Sequence, residues 1–248
     1  MDNWKVWLNN DNVEARTYKR VTGELPEMES TKQLVDIISE IYVEGMTILD
    51  VGCAAGHYYK GLQRIDKDIS YFGFDLSKKH IEFAKEYFKN TSAEFYNIDI
   101  LDWPQKSDEL NPKFDIVYCC NVILHLPDFK IALKNLLNLT KKYCIIKTLL
   151  DDKTHLSKYL YTDDFDENSE PTNFVYQNTY SFNLFTKYIE SLGDYKIEYI
   201  DDKFCAENIN NEHKDFNKIQ DSVTIVTNGM QIAGNKVFKW KWIKITKV

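Results

Sequence analysis

Three carboxylates stand at the ends of short apolar runs: Asp50 within 47–51, Asp75 after 70–74, and Asp99 after 93–98. Just past the first run, Gly52 and Gly56 bracket Cys53-Ala54-Ala55. Glycine at such a junction lets the backbone turn tightly and come close to a ligand. An acid ending the second strand is placed to accept hydrogen bonds from both hydroxyls of a ribose, and a third acid after a comparable interval extends the same edge. Singly, each acid reads as a helix cap or turn residue, and Gly-x-x-x-Gly alone is a weak signal. Jointly, at these spacings, they describe a crevice for an adenosine-bearing ligand. A nicotinamide-dependent oxidoreductase is the rival reading, but it would more often carry Gly-x-Gly-x-x-Gly, which this chain lacks.

The elements that must hold these residues alternate between helix and strand. Leu34, Ile37, Ile38 and Ile41 recur at helical spacing behind a Ser30/Thr31 cap, and Gly45 stands where that helix would stop. Buried strands are expected over 47–51, 70–74, 93–98, 114–119 and 143–149. A helix capped by Ser77 carries Ile81, Ala84 and Phe88 on one stripe, and another over 127–139 opens with Pro127. Such alternation gives an α/β, doubly wound parallel sheet with helices on both faces. Residues 151–180 are polar, rich in tyrosine and too long for an ordinary connection, so they read as a candidate substrate lid. A helix over 181–192 follows, with Phe182, Phe185, Ile189 and Leu192 on one side and Gly193 as its stop. Strand-like runs at 196–200, 222–227 and 237–246, with turn signals at Asn228-Gly229 and Gly234-Asn235, predict antiparallel strands at one sheet edge.

These segments resemble the signature motifs of class I, Rossmann-like S-adenosylmethionine-dependent methyltransferases. The run Phe114-Asp115-Ile116-Val117-Tyr118-Cys119-Cys120-Asn121-Val122-Ile123-Leu124-His125-Leu126-Pro127-Asp128 is similar to the family's fourth-strand motif and its loop. The resemblance covers roughly 47–150, in the family's order. It implies a mostly parallel seven-stranded sheet with an antiparallel C-terminal edge, and S-adenosyl-L-methionine as the cofactor. It also implies that Gly52 and its loop hold the methionine part, that Asp50 orients the amino group, and that Asn121 lies beside the methionine backbone. Asp75 falls on the ribose and Asp99 with Ile100 near the adenine, while Gly56 and Leu76 complete the cofactor-binding set. Many relatives have glycine where this chain has Ala54, a departure the family tolerates.

The 248 residues, 44% hydrophobic, suffice for one sizeable core, so 1–248 reads as a single methyltransferase domain, with 1–30 as an N-terminal cover segment. No apolar run is long enough to span a bilayer and no signal-peptide pattern opens the chain, so a soluble protein without membrane contact is expected. Five cysteines cannot all pair; they read as reduced, which points to the cytoplasm. Scattered histidines (His57, His80, His125, His155, His213) give no metal-ligand spacing, and none is assigned to a metal. A net charge of −7 disfavours nucleic acid and leaves a small-molecule acceptor, with homodimerisation left open.

Methyl transfer is an in-line displacement that chiefly needs alignment and exclusion of water, so a base is optional. Tyr18, Tyr58, Tyr176 and Tyr180 are candidates to face the sulfonium. His125 is either a structural residue of the fourth-strand loop or, for a hydroxyl acceptor, the group best placed to take its proton. Arg20, in a segment that otherwise reads as a solvated linker, could clamp a carboxylate or phosphate of cofactor or substrate, and Lys19 and Lys147 could add to a positive site. The same segment and the candidate lid resemble small-molecule methyltransferases of bacterial capsule and other surface-glycan pathways, some of which methylate an oxygen on a phosphoramidate or a sugar. An anionic acceptor methylated on oxygen follows as the expectation. A nitrogen acceptor, or a protein that binds the cofactor without turnover, is the alternative.

Overall fold

A strand that is apolar on both sides has to be covered on both, and this requirement organises the molecule. The computed structural model describes residues 5, 8, 11–103, 113–203, 224–227, 230–233 and 236–248. Strand β1 (Thr47–Val51) lies between and parallel to β2 (Ser70–Asp75) and β4 (Phe114–Cys120). Outside them, β3 (Glu94–Asn97) pairs with β2 and β5 (Thr140–Asp151) with β4, again in parallel. The sheet is completed by β9 (Tyr195–Asp201) and β13 (Trp240–Lys247), in the order β3-β2-β1-β4-β5-β13-β9. As expected, the C-terminal strand is antiparallel to its neighbours; it sits one place in from the edge, between β5 and β9, so that β9 runs parallel to β5.

Side chains alternate across this sheet. Ile48 faces a core shared with α2 (Glu29–Ser39), α3 (His57–Leu62) and α4 (Lys78–Tyr87), through Leu34, Tyr59 and Ile81. Leu49 and Val51 face the other core, closed by Leu133 and Leu136 of α5 (Phe129–Leu139) and Phe185 of α6 (Phe182–Ser191). Each fully buried aliphatic or aromatic side chain contributes about 1.5–3 kcal/mol. Among the described residues, no helix is long and apolar enough to cross a membrane.

Several local expectations need correction. Ser77 caps α4, its hydroxyl accepting from the His80 amide, but Ser30 and Thr31 do not cap α2. The N-cap there is Met28, and the Ser30 hydroxyl lies 3.1 Å from that of Tyr58 instead. Pro127 is not the first helical residue, because Asp128 takes the N-cap and accepts from the Lys130 amide at 2.9 Å. Helix α2 ends well before Gly45, whose φ of +84° belongs to the turn into β1. The first residues of the segment 18–29, which reads as a solvated linker or a ligand clamp, belong to α1 (Asp11–Thr22), with acids in its first turn and Lys19 and Arg20 in its last, as the helix dipole favours.

The candidate lid is built on strands. A hairpin of β6 (Lys158–Leu160) and β7 (Phe174–Tyr176) leads to β8 (Tyr180–Ser181), which pairs with the end of β5. Near the C-terminus, β10 (Thr224–Thr227), β11 (Met230–Ala233) and β12 (Lys236–Val237) form a separate antiparallel sheet. Its register leaves two residues at each connection, where the two turn signals stand. Those turns, with Cys205 and His213, lie outside the described residues. Cys53, Cys119, Cys120 and Cys144 are buried free thiols.

Candidate active site

The strand order reverses direction at β1, so the crevice beyond the C-terminal ends of β1, β2 and β4 is where a ligand would bind. Its floor requires glycine. Gly52 has φ +81°, and a Cβ there would meet Val122 Cγ2 at 2.2 Å. At Gly56, φ +86°, a Cβ would lie 2.8 Å from the Phe88 ring. Ala54 and Asn121 are also left-handed, at φ +47° and +61°. A non-glycine residue held there costs about 1–2 kcal/mol.

Asp75 offsets part of that strain. One carboxylate oxygen accepts from the Ala54 amide and the other from the Ser77 amide, each at 2.8 Å, so it latches the loop to the start of α4. Each oxygen keeps a further acceptor position. Asp50 is buried, and its Oδ2 accepts from the hydroxyls of Tyr71 at 2.8 Å and Tyr118 at 2.9 Å. Its Oδ1 has no partner, and burial pushes its pKa up to about 7 despite the two hydroxyls.

Further along the rim, Asp99 accepts from the Leu101 amide and pairs with Lys5 at 3.2 Å. Ile100 is buried, with its carbonyl held by Asn135, and the Leu76 carbonyl accepts from Asn97 at 2.8 Å. The Asn121 amide donates to the Lys147 carbonyl, while its side-chain oxygen is buried without a partner. His125 ends a 3₁₀ turn (Ile123–His125), its Nδ1 2.7 Å from the Tyr176 carbonyl. A carbonyl only accepts, so Nδ1 carries a proton and donates it there. Asn178 ties the returning flap to the same turn, its amide donating to Leu124 O at 2.9 Å and its side chain to Leu126 O at 3.0 Å.

Arg20 lies on α1, one turn beyond Arg16. Burial lowers the pKa of both guanidinium groups, and neither makes an ion pair or hydrogen bond among the described residues. Nearby acids are engaged elsewhere: Glu14 with Lys79 at 3.1 Å and Glu27 with Arg64 at 2.7 Å. Arg20 and His57 share the wall of a cleft between α1, α2 and α3. Burial, then Arg20 and His80, hold the His57 pKa down to about 3, so that imidazole is neutral. Arg16, His57 and His80 were not anticipated as site residues. The two histidines are far apart in sequence yet converge here, and both His80 nitrogens are buried without partners, Nδ1 3.9 Å from Asp75. The i, i+4 spacing of Arg16 and Arg20 becomes a readable signal once 11–22 is known to be helical.

Other candidates do not converge. Lys147 pairs with Asp202 at 3.1 Å and lies over the Trp240 and Trp242 rings, so its charge is spent; Lys19 is exposed. Tyr58 and Tyr180 are buried, and Tyr18 stacks on Phe83 at 4.0 Å.

Buried polar atoms without partners are rare in folded proteins. Here they gather on this rim: Arg16 Nε, Asp50 Oδ1, His57 Nδ1, both His80 nitrogens and Asn121 Oδ1; among the described residues only Trp103 Nε1 and Thr148 Oγ1 are additional. The open acceptors suit an amino group or hydroxyls, and the open donors suit a carboxylate or other oxyanion. The residues present therefore fit the adenosyl amino acid that the sequence leads one to expect.

Comparison with known proteins agrees. A ubiquinone biosynthesis O-methyltransferase of Hydrogenovibrio crunogenus is 29% identical over 125 residues, 49% of this chain and 50% of that protein. Phosphoethanolamine N-methyltransferase 1 of Triticum aestivum is 31% identical over 138 residues, 50% of this chain and 26% of that protein. The chain thus spans half or less of the length of these curated relatives. The crystal structure of an S-adenosylmethionine-dependent methyltransferase from Clostridium acetobutylicum superposes with a TM-score of 0.58, covering 95% of this chain and 98% of that one, and at 15% identity shows the shared fold. A methyltransferase domain model matches residues 43–219, which include the whole rim except α1 and Lys5, and the chain belongs to that family.

Proposed function

We propose that the protein transfers the methyl group of S-adenosylmethionine to a small anionic metabolite, at an oxygen of a phosphate-, phosphoramidate- or sugar-containing acceptor. The observation that carries this reading is the gathering of unpartnered buried polar atoms around the glycine loop of a methyltransferase-family domain. The donor, when bound, supplies an activated methyl on a sulfonium. The chain has to align the acceptor with that methyl and keep water out. Gly52 and Gly56 let the backbone approach, and the open oxygens of Asp50 and Asn121 face the amino group. Asp75 turns its remaining lone pairs to the ribose, while Leu76, Asp99 and Ile100 border the adenine. Arg20, beside His57 on the helix that follows the glycine loop, takes the methionine carboxylate. The flap covers the methyl end.

Oxygen is favoured as the methylated atom by His125. Its ring is held against the Tyr176 carbonyl at the end of the fourth-strand loop, on the edge where a hydroxyl acceptor would need a base. The relatives named above act in ubiquinone and phosphoethanolamine chemistry, so a capsule or surface-glycan role rests on the sequence resemblance alone. Calorimetry with S-adenosylhomocysteine and with NAD tests the cofactor: binding of the first alone supports the reading, and binding of NAD alone overturns it. Incubation of the protein and S-adenosylmethionine with a small-molecule extract, followed by mass spectrometry, is expected to yield a methylated anionic product.

A further inference from the structure

We infer that Arg16, one turn before Arg20 on α1, is the subsite for a phosphate-class oxyanion on the acceptor, distinct from Arg20, which serves the donor. This deepens the proposed function and rests on it. Two guanidinium groups one turn apart on α1 are sunk into protein with no carboxylate among the described residues, and Arg16 Nε is wholly enclosed without a partner. Two like charges so placed raise each other's cost: burial first, and then the neighbouring Arg16, lower the pKa of Arg20. A single methionine carboxylate satisfies one fork. Arg20 neighbours Tyr58 and His57 of α3, on the glycine-loop side, while Arg16 neighbours Tyr161, just past β6, on the flap side.

Charge balance then indicates what Arg16 awaits. The donor brings a sulfonium and an ammonium as well as its carboxylate, so it adds positive charge overall. On the protein side, Asp99 is already paired with Lys5 and His57 is neutral. Even with Asp50 ionised beside the donor's ammonium, Asp50 and Asp75 do not cancel the two guanidinium groups and the donor's net positive charge. An anionic acceptor supplies what is missing. A planar guanidinium fork is suited to two oxygens of one tetrahedral oxyanion.

The test uses the S-adenosylhomocysteine-loaded protein titrated calorimetrically with inorganic phosphate and, separately, with acetate. Saturable phosphate binding, tighter than acetate, is expected. Arg16→Gln should weaken phosphate about tenfold or more while leaving S-adenosylhomocysteine affinity within about twofold. Arg20→Gln should do the reverse. If Arg16→Gln does not fold, Arg16→Lys, which keeps the charge but loses the fork, should bind phosphate more weakly than wild type. Phosphate affinity unchanged in the Arg16 variants, or acetate binding tighter than phosphate, overturns the inference. A protein that binds S-adenosylhomocysteine but no phosphate removes the inference alone. One that binds no S-adenosylhomocysteine removes the underlying reading with it.

Discussion

At the seam between β5 and β13, Lys147 is buried against Asp202 at 3.1 Å and roofed by two tryptophan rings. Across the strand ends, Arg16 and Arg20 are sunk into protein with no such carboxylate among the described residues. The Lys147 backbone itself reaches the rim, its carbonyl accepting from the Asn121 amide. The proposed function accounts for this contrast: the fold completes its own charge at the seam, and on α1 it leaves two charges for ligands to complete.

Lys147→Met leaves Asp202 buried without its cation and should lower unfolding free energy by about 3–5 kcal/mol. Arg16→Met strands no partner and should leave stability unchanged or raise it by up to about 1 kcal/mol. Urea denaturation of both variants checks the pair; equal losses would mean that Arg16 is structurally paired after all.

Asp50 sharpens the contrast through pH. Its folded pKa of about 7 lies above the ordinary carboxylate value of 3.8, so the folded state holds a proton that the unfolded state has released. Its contribution is fully present below about pH 4 and is lost as pH rises to about 7, with an upper bound of roughly 4 kcal/mol at 1.36 kcal/mol per unit. Asp50→Asn should remove that slope, as read from unfolding midpoints across the range. Binding of an ammonium beside Asp50 should draw the proton off, so donor affinity should rise over the same interval.

Smaller effects follow at the loop. Asp75→Ala should weaken S-adenosylhomocysteine by about 1.5–3 kcal/mol in calorimetry, by removing a charge-assisted acceptor. Ala54→Gly should stabilise the protein by about 1 kcal/mol, because glycine adopts φ +47° without steric cost. A loss on thermal denaturation would mean that the Ala54 methyl packs more strongly than its backbone is strained.

The central strands were legible because buried parallel strands are apolar runs cut off by glycine or an acid, and β1 begins and ends where its residues predict. The placing of Asp50, Gly52, Asp75 and Asn121 along one sheet edge was legible for the same reason: they sit where those runs stop. Helix starts were less so. Ser30 has the right chemistry for a cap, but its hydroxyl is taken by Tyr58, a partner that only tertiary packing supplies. Hairpin β6–β7 was hidden because its strands are three residues long and only Phe174 and Val175 of them are buried. Arg16, His57 and His80 escaped notice because what marks them is enclosure without a partner, and no spacing encodes that.

The place of β13 in the sheet also sets an order of assembly. Among the described residues its sheet partners are β5 and β9, and β9 reaches the sheet through it. A ribosome must therefore make the flap, α6, β9 and the β10–β12 hairpins while the long apolar edge of β5 stays unpaired. Pairing so remote in sequence is slow, and an open apolar edge invites intermolecular contact meanwhile. Nascent chains stalled before residue 240 should accordingly bind chaperones, and those extended past 247 should escape them.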